Sequence, residues 1–237
     1  MSASVILSIL ALYTSGFLFI WAGIAGLKKF SENEGQKFFL FALIITGITL
    51  GPFMGTRNIL GILGYEKIDL IFSIIDYFWV ALLLVCFLFY FAYKNLSSKY
   101  YRFAKRFLTV FLFLVLLMLL FGVWDTSYTG PFVTGPHISK WGTEYELTAY
   151  VEIIFGSIWA LLVGVTIYSL VRCIFQSWEN KKIDLDLYIN LTFFLFLFFF
   201  LPESLGRMNT WKLVFSRITS NIIAVAFFLI YTKEYWK

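Results

Sequence analysis

Long apolar runs alternate with short polar breaks along the whole chain. Seven runs stand out, at about 4–27, 38–57, 71–93, 107–124, 152–171, 187–206 and 212–232. A membrane-crossing helix needs about 20 mostly apolar residues, and each run is near that length. The pattern predicts an all-α fold: a polytopic seven-transmembrane-helix bundle forming a single transmembrane domain over 1–237. The connections are short. The longest runs from Asp125 to Tyr150 and is expected to be a loop outside the membrane. No length is left over for a soluble catalytic or DNA-binding domain.

Composition agrees with the pattern. The 237 residues are 60% hydrophobic, 22% aromatic and 14% charged, against about 25% charged in soluble domains. The positions of the charges then set an orientation. Positively charged loops stay cytoplasmic. The segments "KKFSENEGQK", "KNLSSKYYRFAKR", "RCIFQSWENKKIDLD" and the tail "KEYWK" hold 13 of the 19 Lys and Arg residues. The other side has Arg57, Lys67, Lys140, Arg207, Lys212 and Arg217. The N-terminus is therefore expected outside and the C-terminus in the cytoplasm, in a multi-pass protein of the cell membrane. The net charge of +5 reads as topology, and no nucleic-acid partner is expected. Residues 1–27 lack a basic leading segment and a clear small-residue cleavage site, so they are expected to be a retained first span. Cys86 and Cys173 are expected to be buried free thiols. The sequons at Asn95 and Asn190 fall in the cytoplasm and inside a span, where no glycan is added.

The sixth run raises a question of depth. From Leu187 to Leu201 there are 15 residues, or about 22 Å of helix, while the hydrocarbon core is about 30 Å thick. The helix must run on past Pro202, which places Glu203 about one turn below the outer surface. The same counting brings Asp76 just inside the outer boundary and Arg217 about a turn inside. Arg57 and Glu152 fall at that boundary. Five ionisable residues from five helices thus share one level. Such residues tend to face the bundle interior or water, and to pair. Arg57 with Asp76, and Glu203 with Arg217, are the expected partners. Asn221, with Ser216, Thr219 and Ser220, gives Arg217 polar company. The candidate ligand-binding set is Asp76 and Arg217, supported by Glu203, Arg57, Glu152 and Asn221.

Small residues and prolines add detail. Gly47, Gly51 and Gly55 recur every four residues, so they line one helical face. Such faces let membrane helices approach closely. Pro52 is expected to kink or break the second helix, and Pro202 the sixth. The stretches "GPFMGTRN" and "LPESLGRMN" both read Pro-x4-Arg, and the next helices open with "LIFS" and "LVFS". These matches outline a candidate parallel repeat of 1–94 and 148–237 about a linker helix, 107–124. That layout resembles the three-plus-one-plus-three sugar and vitamin facilitators, but the first span has no proline where their proline-glutamine motif would stand.

Several chemistries are excluded. The single histidine, His137, rules out multi-histidine zinc and bis-histidine haem sites. No lysine lies between Ile218 and Thr232, where a retinal Schiff base would need one. No cofactor and no catalytic residue is expected. The leading expectation is a small-solute or ion transporter or facilitator with an outward-facing polar pocket. The alternative is a receptor-like sensor or accessory subunit of a membrane complex. A carboxylate-based intramembrane enzyme using Asp76, Glu152 and Glu203 ranks below both. The expected partners are the lipid bilayer, a small polar ligand from outside, and a membrane-protein partner or a second copy.

Overall fold

Apolar runs of this length fold as helices because a helix satisfies its own backbone hydrogen bonds, which hydrocarbon cannot do. The computed structural model describes residues 3–30, 34–124, 133–139, 142–147, 149–180, 185–204 and 210–232. Its helices are α1 (Ala3–Lys29), α2 (Glu34–Ile48), α3 (Thr56–Ile62), α4 (Glu66–Asn95), α5 (Ser98–Trp124), α6 (Ala149–Asn180), α7 (Leu185–Ser204) and α8 (Thr210–Thr232). Among the described residues, five helical stretches are long and apolar enough to cross a membrane: Val5–Lys29, Glu34–Ile62, Lys67–Asn95, Gly156–Asn180 and Phe215–Thr232. The apolar part of α7, Asp186–Phe198, is shorter.

The helices extend past the apolar runs at most ends, because backbone hydrogen bonding continues where hydrophobicity stops. Between α2 and α3 the chain does not break. Thr49–Gly55 forms a π-helical stretch with Pro52 inside it. A proline has no N–H and its ring crowds the carbonyl one turn back. A widened turn accommodates both, which is the physical form the expected kink takes. The chain then reverses at Gly64, whose φ of 78° suits a residue without a Cβ.

The helical class stands, with one addition. The connection expected to be a loop holds an antiparallel hairpin, β1 (Val133–Ser139) with β2 (Gly142–Leu147). Val133, Thr134, Ile138, Thr143 and Tyr145 are the branched and aromatic types that suit a strand. The register shifts between Thr134 and His137, where Pro136 has no N–H for the ladder. The hairpin rests on α3 and α4.

Six helices follow one another around the bundle: α1 packs on α2, α2 on α4, α4 on α6, α6 on α7, α7 on α8, and α8 on α1. Helix α5 lies outside this ring against α4. The glycine stripe is the α1–α2 contact. A Cβ on Gly16 of α1 would come within 2.7 Å of Gly47 O and 2.8 Å of Gly51 Cα, and one on Gly55 within 2.8 Å of the Tyr13 ring. Phenylalanines fill the ring's centre. Phe39 of α2 meets Phe87 of α4 at 5.5 Å, Phe193 of α7 at 5.9 Å and Phe227 of α8 at 5.6 Å between ring centroids. All four are essentially inaccessible. The phenylalanines of α7 that the sequence marks as bulk thus divide, with Phe193 and Phe196 in the core and Phe198 exposed.

Candidate functional site

The second helical run carries one arginine, and the fourth helix carries two aspartates seven residues apart. Seven residues are two helical turns, so Asp69 and Asp76 share a face of α4. Arg57 of α3 lies between them. Its Nε is 3.4 Å from Asp69 Oδ1 and its Nη1 is 3.3 Å from Asp76 Oδ2. Asp69 is fully buried, and Asp76 is 5% exposed. The pairing of Arg57 with Asp76 is the one the depth counting predicts. Asp69 is the member that counting missed, because it lies before the apolar run begins. Its spacing from Asp76 is the signal that marks it.

The neighbourhood of this group is polar but unevenly satisfied. Asp76 Oδ1, Thr49 Oγ1 and Trp79 Nε1 are buried without a hydrogen-bond partner among the described residues. Thr49 opens the π-helical stretch, and Phe53 within that stretch lies 6.1 Å from the Trp79 ring. Tyr13 of α1 is hydrogen-bonded to Thr56 at 3.1 Å, which ties α1 to the same end of the bundle.

Arg217 lies at this end as well, in the first half of α8, and it is 5% exposed. Its guanidinium donates to Ser8 Oγ of α1. Asn221, one turn on, donates to Ala11 O at 3.0 Å and to Arg217 O at 2.9 Å. The candidate residues therefore form two groups: Arg57, Asp69 and Asp76 on α3–α4, and Arg217 with Asn221 on the α1–α8 seam. Glu152 is in the first turn of α6 and Glu203 in the last turn of α7. The side chains of both lie outside the described residues, as do any pairs they make.

The opposite end carries polar groups that the sequence had suggested only as topology signals. Lys94 Nζ is 3.0 Å from Asp186 Oδ2. Lys105 of α5 and Tyr101 both donate to Glu34 Oε1 of α2, at 2.5 and 3.1 Å. Burial, with the Glu34 carboxylate beside it, pushes the Tyr101 hydroxyl up to about 12, so it stays a donor. Between the two ends stands the phenylalanine layer. Cys86 and Cys173 are buried and stand outside any disulfide, as expected, and Asn190 is fully buried, out of reach of glycosylation. Comparison with protein-family models, characterised proteins and solved structures gave no match to this chain.

Proposed function

We propose that this chain is a seven-span protein of the cell membrane, N-terminus outside and C-terminus in the cytoplasm, that works as a small-solute or ion facilitator. We place its outward-facing pocket between the two groups, Asp76 with Arg57 on one side and Arg217 with Asn221 on the other, with Glu203 and Glu152 as further candidates. The observation that carries the reading is the Arg57–Asp69–Asp76 group. Burial of charge costs several kcal/mol per ion even after relaxation. Charges kept inside a membrane bundle usually mark a ligand or ion path. This group also abuts the π-helical stretch, a feature common at functional sites, and one Asp76 carboxylate oxygen has no partner among the described residues.

The order of helices supports the candidate repeat. In the first three spans α2 sits between α1 and α4; in the last three, α7 sits between α6 and α8. The halves meet through α1–α8 and α4–α6, the two contacts that a two-fold exchange would interchange. Helix α5 is the linker, outside both. Parallel repeats with a site between them are an established transporter plan.

The buried phenylalanine layer favours a second reading, a receptor-like sensor or accessory subunit that binds on one side and passes nothing through. The two readings separate on purified protein. Flux of potassium, protons or small neutral solutes into liposomes containing this chain alone supports the facilitator. A tight liposome, together with a stoichiometric membrane partner co-purified in mild detergent, supports the second reading.

A further inference from the structure

The end of the bundle opposite Arg57 contains a polar group on three helices. Lys94 and Tyr90 come from α4, Cys173 from α6, and Asp186 and Asn190 from α7. Lys94 Nζ reaches Asp186 Oδ2 at 3.0 Å and Cys173 Sγ at 4.0 Å, and it lies 5.8 Å from the Tyr90 ring centroid. Asn190 Nδ2 donates to Asp186 O at 2.6 Å and points to Cys173 Sγ at 3.6 Å. The bond to a carbonyl, which only accepts, fixes which amide atom is nitrogen. Asn190 Oδ1 is therefore an acceptor, and it has no partner among the described residues. The Tyr90 hydroxyl has none among them either. Both residues are buried, at 0% and 2% exposure. The Lys94 and Asp186 side chains, 21% and 42% exposed, form a solvent-facing rim above them.

A buried donor and a buried acceptor left open are each destabilising. A buried group of this kind is normally completed by a bound molecule or water. Lys94 and Asp186 neutralise one another, so the group as a whole asks for no net charge. A single molecule that completed both would donate to Asn190 Oδ1 and bond the Tyr90 hydroxyl, which a hydroxyl or a primary amide can do.

We propose that the Tyr90–Asn190–Cys173 group under the Lys94–Asp186 pair is a second binding site, for a small neutral solute with a hydroxyl or amide N–H. Its placement on the cytoplasmic face rests on the orientation proposed above; its geometry does not.

Cys173 in its wall supplies the test. Full-length protein with Cys86→Ser retains Cys173 as its only thiol. It is treated, in sided membrane vesicles, with a charged membrane-impermeant methanethiosulfonate, with and without glycerol or acetamide as probes. The thiolate attacks the reagent's sulfenyl sulfur, a mixed disulfide forms, and methanesulfinate leaves. Labelling from the cytoplasmic face, slowed several-fold by a probe, is expected. Protection by glycerol alone, or by acetamide alone, selects the hydroxyl or the amide as the ligand group. Tyr90→Phe and Asn190→Ala should label as fast but lose that protection. Labelling from the outer face with the same protection supports the site and overturns the orientation. A thiol inert from both faces overturns the site. So does labelling that neither probe slows, or protection that survives in both variants.

Discussion

Gly16→Ala tests the α1–α2 contact on which the geometry of the charged end depends. The added Cβ would lie 2.7 Å from Gly47 O and 2.8 Å from both Gly51 N and Gly51 Cα. These are backbone atoms and cannot swing aside. The helices would have to part by roughly 0.7 Å, a gap that forfeits a quarter to a half of each dispersion contact along the seam. Overpacking of this kind costs about 1–3 kcal/mol. For a chain of this size that lowers the melting midpoint by about 2–4 °C per kcal/mol. Two changes serve as controls. A Cβ on Gly51 meets nothing nearer than 3.6 Å, and one on Gly164 meets nothing within 4 Å. The assay is thermal unfolding followed by a thiol-reactive fluorogenic maleimide. In a Cys173→Ser background, the dye reads only Cys86, which is buried in the core. Gly16→Ala should melt several degrees below its parent, and both controls should melt with it or slightly above. If Gly16→Ala melts with its parent, or Gly51→Ala falls as far, the close glycine contact is refuted.

Arg57→Met leaves two buried carboxylates without their guanidinium and should cost about 3–5 kcal/mol by the same melt, and Arg57→Met with Asp76→Leu should recover part of the loss. Asn221→Ala removes the hydrogen bond from α8 to Ala11 O and should cost about 1 kcal/mol. Phe193→Ala takes a ring from the centre of the phenylalanine layer and should cost about 3–5 kcal/mol; any flux through the reconstituted protein should rise, because the layer then has a gap.

Helix positions were largely legible because hydrocarbon imposes one length on every crossing segment. Depth counting brought Arg57 and Asp76 to one level, and the structure pairs them. The spacing of Gly47, Gly51 and Gly55 likewise marked the seam with α1. Three features were harder to read. Pro52 announces a distortion, but a kink, a break and a π-helical turn all satisfy it. The segment 125–150 carries strand-forming residues, but a polar hairpin has no apolar run to mark it. The Lys94–Asp186 pair was hidden most completely. Its members lie 92 positions apart, and each stands in a charged segment between apolar runs. Only the packing of α4 beside α6, and of α6 beside α7, brings them together.

The most direct test of the facilitator reading is flux in liposomes containing purified protein, compared with Asp76→Asn and Arg217→Gln. Potassium, protons and small neutral solutes serve as the probes. The account predicts flux by the parent protein and its loss in both variants, with each variant shown by melting to be folded. A parent protein that leaves the liposomes tight, or two folded variants that conduct as the parent does, would contradict it.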